Sequence, residues 1–380
     1  MLKQCQDEFF TNFDSYQELF DFHEKQAKES QWIRVKVNEL QIEPLGESSI
    51  LSTDLSAFVA GTSMDAVEDT VKNLGLAMRV EGKLYPIRMT AYKSLLDRAK
   101  ISGNVLAKLS REVLSDVLNE CLKMYAADAL ILIRDEKVSA VHSGDAVDYS
   151  VLPIDELLQA LKSKLDDRFA GNQFQRGYAD HSFVSVSFVM PNQTEELLDA
   201  YAKTLVAKGQ SKFASKLLPG IRFMTSDTGV SSAKVAGLLF GSQHPIHIGG
   251  CISVDHRHCS TITNFKDSLD QLFSQFGNTI QKLHKLLEIE LEYPINAMTR
   301  VCKKLSLPKK AALEAISMYE MAYGGGCATA HDVYLAMQEI PFILKTQNVP
   351  ESKRLIVEEN MARALNLNWS EFDLAKAGDY

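Results

Sequence analysis

Apolar residues recur at every second position in short segments of the first 260 residues, and only at every third or fourth position after Asn264. The first spacing is clearest over residues 32–37 and 182–190, and it is typical of half-buried strands. The second spacing is typical of helices that bury one face. The sequence therefore predicts an α+β fold, with a mixed, largely antiparallel sheet packed with helices and followed by a helical C-terminal region.

Several local signals place individual elements along the chain. Glu81-Gly82 separates two short apolar runs and predicts a tight hairpin, because glycine supplies the positive φ that the turn needs. Ser110 and Thr329 can each cap a helix. The uninterrupted apolar run over residues 129–133 predicts a buried central strand, and the aromatic-rich segment 4–29 predicts an amphipathic helix.

The change of periodicity divides the chain into two regions. Residues 1–260 are predicted to form an α+β domain with an N-terminal helix, and residues 261–380 a mainly helical C-terminal region. No internal repeat and no low-complexity linker marks the boundary, so the two regions could also form one domain.

Composition sets the broad class of the protein. With 46% hydrophobic and 24% charged residues, the chain has the balance of a folded globular protein. Asp7 and Glu8 occupy the place where a secretory signal would need an apolar run, and no later segment has the length of a membrane span. Six cysteines without a CxxC pair are typical of a reducing compartment. We therefore expect a cytoplasmic protein without a membrane partner.

Residues 201–226 form a basic segment without any acidic residue, in a chain whose formal net charge is −8. The segment contributes five positive charges, so the rest of the chain carries −13. Single-strand binding requires basic side chains that track the phosphates and aromatic rings that stack on the bases. The predicted DNA contacts in this segment are Tyr201, Lys208, Lys212, Phe213, Lys216 and Arg222. The alternative is a solvated helix face followed by a strand, with the aromatic residues buried.

A second segment without acidic residues covers residues 293–313. Its basic residues are Arg300, Lys303, Lys304, Lys309 and Lys310. The first three of these are added to the predicted DNA contacts. Lysines near the end of a helix can instead simply complement the helix dipole, and that explanation fits Lys303 and Lys304 equally well.

Histidine and cysteine are concentrated in residues 242–260. The candidate metal ligands are His244, His247, Cys251, His256, His258 and Cys259, because imidazole and thiolate are the ligands that zinc prefers. The spacing matches no established zinc motif, and strand alternation would send His258 and Cys259 to opposite faces. The alternative is a histidine-rich strand and turn, and the sequence predicts no bound metal here.

The remaining motifs favour a protein without catalytic activity. Gly324-Gly325-Gly326 lacks the Gly-Lys-Ser/Thr ending of a phosphate-binding loop, so it is interpreted as a helix stop. The sequence contains no GxSxG motif, no kinase motif set and no dinucleotide fingerprint. We therefore predict no cofactor. A pair of aspartates or glutamates that the fold brings together would leave no motif in the sequence.

Four segments together resemble the phage and plasmid proteins grouped as domain of unknown function family 932. In chain order they are LGLAMRVEGKLYPIR, LLPGIRFMTSDTGVSSAKVAGLLF, HIGGCISVDHRH and GGGCATAHDVYLAMQEI, within about residues 60–345. The most specific elements are the turn Ser226-Asp227-x-Gly229 and the helix start Thr329-x-x-Asp332-Val333-Tyr334. The histidines around Cys251 depart from the family pattern.

The resemblance implies a passenger of a mobile element, and such elements commonly carry recombination functions. An α+β pattern with a basic segment is also similar to what single-strand annealing proteins use. The leading hypothesis is a non-catalytic DNA-binding protein that anneals or protects single-stranded DNA as a homo-oligomer. One alternative is a protein-interaction module, such as a counter-defence or virion-associated factor. The other is a metal-dependent enzyme centred on residues 244–259.

Overall fold

A six-stranded antiparallel sheet forms the centre of the fold in the computed structural model, which describes residues 3–46, 57–241, 244–378 and 380. The strands are β1 Phe10–Phe13, β2 Gln31–Lys36, β3 Gln41–Pro44, β4 Leu76–Val80, β5 Lys83–Pro86, β6 Asp128–Arg134, β7 Lys137–Ser143, β8 Gln173–Asp180, β9 Val184–Val189, β10 Leu218–Thr225, β11 Ala233–Phe240, β12 Ile246–Val254, β13 Glu290–Leu291 and β14 Ala328–Thr329. The large sheet has the order β1-β8-β9-β10-β11-β12, and two three-stranded sheets have the orders β2-β6-β7 and β3-β4-β5.

Helices pack on these sheets and dominate the C-terminal third. They are α1 Tyr16–Glu29, α2 Met64–Lys72, α3 Ala91–Ala99, α4 Arg111–Leu122, α5 Ile154–Arg168, α6 Thr194–Ala207, α7 Ser211–Ala214, α8 Ile262–Lys285, α9 Pro294–Lys304, α10 Lys309–Tyr323, α11 Ala330–Met337, α12 Glu339–Thr346 and α13 Glu351–Ala362. The predicted α+β class with a helical C-terminal region is confirmed. Each helix in the described ranges is too short or too polar to cross a bilayer.

Local chemistry fixes the ends of several elements as the sequence predicts. Glu81 and Gly82 have φ values of +48° and +80° and form the turn between β4 and β5. The Ser110 side chain accepts a hydrogen bond from the backbone of Val113 and caps α4. Thr329 caps α11 in a capping box with Asp332. These turns and caps need only nearby residues, which is why they can be predicted from the sequence.

The start of the chain differs from the predicted helix over residues 4–29. The helix begins only at Tyr16, because the Ser15 side chain caps it by accepting from the backbone of Glu18. The preceding residues form the edge strand β1, which pairs with β8. The aromatic residues of this segment therefore serve a strand and a helix, which their spacing alone does not distinguish.

The buried residues form two large clusters. One cluster draws on residues between 37 and 141, from the two small sheets and from α3 and α4. The other extends from Phe13 to Trp369, and within it the rings of Phe223 and Phe265 lie 5.5 Å apart. Residues on both sides of position 260 therefore share one core, so the predicted boundary marks a change of architecture within a common core.

Candidate nucleic-acid interface

The acid-free segment 201–226 passes through the end of α6, the short helix α7 and the whole of β10. Its four lysines are exposed, whereas Tyr201, Arg222 and Phe223 are buried. The segment thus divides into an exposed part over residues 203–216 and a buried part in β10. Only the exposed part is available to a ligand.

Tyr201 is a core residue and cannot stack on a base. Its side chain is 1% exposed, and its hydroxyl lies 2.6 Å from Nε2 of His331. Burial raises the pKa of the Tyr201 hydroxyl, so this group stays protonated. The predicted stacking role of Tyr201 is therefore wrong.

Arg222 is also unavailable for a phosphate contact. Its guanidinium forms a buried ion pair with Glu358 of α13, and its Nε lies 3.3 Å from Oγ of Ser187. Both side chains of the ion pair are about nine-tenths buried. The predicted DNA contact at Arg222 is wrong, because its charge is already neutralised inside the protein.

Three lysines remain as candidate phosphate contacts, and we call residues 208–216 the lysine segment. Lys208 follows the last turn of α6, Lys212 lies on α7, and Lys216 directly precedes β10. None of the three forms an ion pair with a residue that the structure describes, whereas Lys203 pairs with Asp199 at 2.8 Å. These three charges are therefore free to meet an anionic ligand.

The backbone holds the lysine segment in place at both ends. Gly209 ends α6 with a φ of +80°, a conformation that favours glycine. Gly241, after β11, approaches the carbonyl of Lys216 so closely that a Cβ at this glycine would lie 1.9 Å from the oxygen. The lysine segment, which includes α7, thus follows a defined backbone path between α6 and β10.

An open cleft lies beside the lysine segment, and we call it the aromatic cleft. It has a volume of about 830 Å³ and is formed by α7, the start of β12, α10 and α11. The rings that line it belong to Phe213, Tyr319, Tyr323 and His244. Tyr323 is 76% exposed, and its ring centroid lies 5.2 Å from that of Tyr319. The cleft therefore offers aromatic faces next to unpaired lysines.

The two carboxylates that line the aromatic cleft already have partners. The Asp332 carboxylate accepts from the Thr329 backbone at 3.0 Å and from the Thr329 hydroxyl at 2.7 Å. Burial opposes its ionisation, but the nearby imidazole of His331 and the hydrogen bonds from Thr329 outweigh burial and lower the pKa of Asp332. Glu339 lies 3.7 Å from Nε2 of His244. These contacts reduce the negative field that an incoming phosphate would meet.

The second basic segment lies outside the aromatic cleft. Arg300 donates to the backbone carbonyls of Leu374 and Lys376, and Lys309 donates to the carbonyl of Tyr380 at 2.9 Å. Lys309 begins α10 and Tyr323 ends it, so the two are about 21 Å apart along the helix. Arg300 and Lys309 thus hold the end of the chain. The other two predicted contacts of this segment, Lys303 and Lys304, are exposed at the end of α9. They do not line the aromatic cleft.

The histidines and cysteines of residues 244–259 do not converge. His247 is buried at the start of β12, and the strand alone separates it from Val254 by about 23 Å. His256 is buried beyond that end, next to Thr225, while His258 and Cys259 are exposed in a turn with positive φ. Within the described ranges, no group of three or more candidate ligands could hold a metal ion. The extended strand accounts for this separation.

Sequence reasoning missed the aromatic and methionine residues of the C-terminal helices. On α10, Met318, Met321 and Tyr323 are exposed, while the buried face consists of Ala311, Ala312, Ala315, Ile316 and Tyr319. The signal available in the sequence is that α10 has more apolar residues than one helix face can bury. No protein-family model, no curated protein and no solved structure significantly matches this chain.

Proposed function

We propose that this protein binds single-stranded DNA without catalysis, with the lysine segment on the phosphates and the aromatic cleft on the bases. One observation carries the proposal: Lys208, Lys212 and Lys216 are exposed and have no ion pair in the described structure. They belong to the same short segment as Phe213, which lines the cleft. Lysines neutralise phosphates without reading sequence, and aromatic faces stack on any base.

The arrangement fits a role in annealing or protecting single strands. Backbone contacts through lysine leave the edges of the bases exposed for pairing. Several copies bound side by side would cover a strand, so we propose that the protein acts as a homo-oligomer on DNA. We further propose recombination as the setting, which a resemblance to phage and plasmid proteins would imply.

The test is the salt dependence of binding to a labelled single-stranded oligonucleotide, followed by fluorescence anisotropy between 50 and 200 mM salt. Three phosphate contacts predict that the logarithm of the binding constant falls with the logarithm of the salt concentration with a slope of about −2. We expect the variant Lys208→Ala/Lys212→Ala/Lys216→Ala to lose most of this slope.

A matched control removes three other exposed lysines that are not among the predicted DNA contacts, in the variant Lys72→Ala/Lys108→Ala/Lys310→Ala. This control has the same net charge as the first variant but leaves the lysine segment intact. We expect it to bind like the unmodified protein. Equal loss in both variants, or no binding at 50 mM salt, would contradict the proposal.

A second candidate function is binding of a partner protein in the same cleft. It is favoured by Met318, which lines the cleft and is 40% exposed, since flexible methionines suit surfaces that bind peptides. This alternative predicts that the affinity for the partner protein does not depend on Lys208, Lys212 and Lys216. It also predicts no salt-dependent binding of DNA.

A further inference from the structure

A second cleft, which we call the polar cleft, lies where the sheet β2-β6-β7 meets the large sheet. It has a volume of about 570 Å³. Its walls come from α3, the end of β7, the turn between β10 and β11, and the residues after β12. Of these elements, only β12 also borders the aromatic cleft. It borders the aromatic cleft at its start and the polar cleft beyond its end, so the polar cleft is a separate site.

Three stacked rings form one wall of the polar cleft. The rings of His142 and Tyr149 are 3.5 Å apart and inclined by 5°, and Tyr149 and His256 are 5.7 Å apart and inclined by 12°. The Tyr149 hydroxyl donates to the backbone carbonyl of Asp227 at 2.8 Å, and His142 Nε2 lies 2.8 Å from the same oxygen. The wall is therefore rigid, because its polar groups are tied to the turn that begins at Ser226.

The carboxylate of Asp227 does not contribute a free charge to this wall. It is buried and paired with the guanidinium of Arg134, with one N–O distance of 3.1 Å. Gly229, in the same turn, has a φ of +81°, and a Cβ at this position would lie 3.5 Å from the ring of His142. The turn thus presents a glycine, without a side chain, to the polar cleft.

The acidic and basic residues that line the polar cleft differ in exposure. The acidic residues Asp97, Asp148 and Asp255 are all exposed. Arg98 is half-buried, and its Nε is inaccessible to solvent without a hydrogen-bond partner. Nδ1 of His256 is likewise buried and without a partner. Buried nitrogen atoms without a partner, in residues that line a cleft, favour an acceptor-rich ligand.

Two further cations, Lys93 and Arg257, line the polar cleft together with Arg98. Neither forms an ion pair with a described residue. Lys234, by contrast, pairs with Glu359 at 2.9 Å. Guanidinium groups bind phosphate oxygens in pairs, and ammonium groups add a point charge.

We infer that the polar cleft binds a phosphate monoester through Arg98, Lys93 and Arg257. The volume is in the range of small-molecule sites and suits a ligand of nucleotide size. A phosphate monoester can be a free nucleotide or the 5′-terminal phosphate of a strand, and both present the same dianionic group. The inference does not depend on the proposed function of the aromatic cleft.

The test is isothermal titration calorimetry of the full chain with adenosine 5′-monophosphate, with adenosine as the comparison. We expect binding that requires the phosphate, so that adenosine gives no saturable heat at millimolar concentration. A second pair of ligands, a short oligonucleotide with and without a 5′-phosphate, distinguishes the two sources. A preference for the nucleotide assigns a free ligand, and a preference for the phosphorylated strand assigns a strand end.

The variant Arg98→Gln removes the half-buried cation and should weaken binding of the preferred ligand by about tenfold or more, as for the loss of a charge-assisted hydrogen bond. The control Lys108→Gln removes an exposed charge elsewhere and should leave affinity unchanged. Circular dichroism confirms that both variants fold. The inference is overturned if neither phosphorylated ligand binds, if adenosine binds equally well, or if folded Arg98→Gln protein retains full affinity.

Discussion

The hydroxyl of Tyr201 lies 2.6 Å from Nε2 of His331, although 130 residues separate them in the chain. The same ring lies 6.1 Å from that of His284. The contact ties α6 to the start of α11, and α11 borders the aromatic cleft. Tyr201 therefore helps to position the cleft from inside the core without touching a ligand.

The variant Tyr201→Phe should lower the free energy of unfolding by about 1–2 kcal/mol, because it leaves Nε2 of His331 buried without a partner. Urea denaturation followed by circular dichroism measures this loss. The affinity for single-stranded DNA should stay the same under conditions where the variant is folded. A stable variant with reduced affinity would instead place the hydroxyl at the ligand.

The buried ion pair between Arg222 and Glu358 predicts a strong asymmetry between single and double substitutions. Arg222→Ala should destabilise the protein by about 3–5 kcal/mol, because it leaves the Glu358 carboxylate buried without its cation. The double variant Arg222→Met/Glu358→Leu should recover most of that loss. The comparison is made by thermal and urea unfolding, and additive losses in the double variant would refute a coupled pair.

Tyr323 is the most exposed ring of the aromatic cleft. Tyr323→Ala should weaken DNA binding by about 1–3 kcal/mol, the contribution of one stacked base, and should change stability little. Met124→Ala is the matched control, because Met124 is 73% exposed and does not line the cleft. Anisotropy titrations at constant salt measure both variants, and equal affinities would exclude stacking on Tyr323.

Buried histidines should make the fold sensitive to mild acid. Burial lowers the pKa of His142 and of His247 to about 4, from the ordinary value of 6.5. Since the folded-state pKa is lower, the unfolded chain binds more protons, and stability falls as the pH drops from about 6.5 towards 4. His142 alone should contribute a loss of up to about 3 kcal/mol over that window.

Urea denaturation at pH 7, 6 and 5 tests this prediction. The variant His142→Asn should show a smaller loss of stability between pH 7 and 5 than the unmodified protein. The carboxylates of the buried Asp227 and the half-buried Asp332 have lowered pKa values, so their effect on stability begins at lower pH. Equal slopes in the variant and the unmodified protein would show that His142 does not titrate in this way.

The sequence predicts those parts of the fold that neighbouring residues determine. It does not predict the candidate nucleic-acid interface, which depends on residues far apart in the chain. The Glu81-Gly82 turn and the Thr329 cap need only local chemistry, and both are present. The burial of Arg222 depends on Glu358, 136 residues away, which no periodicity reveals. The sequence predicts that Lys208, Lys212 and Lys216 are exposed. It does not predict the aromatic cleft beside them, because α7 forms that cleft with β12, α10 and α11 from later in the chain.

The packing of α8 on the large sheet has a consequence for how the protein is made. Phe265 of α8 contacts Phe223 of β10, and α8 is followed by all the helices that complete the shared core. During synthesis the strands leave the ribosome first, with one sheet face uncovered until the last third of the chain has emerged. We expect a nascent chain that stops before residue 262 to need chaperone protection.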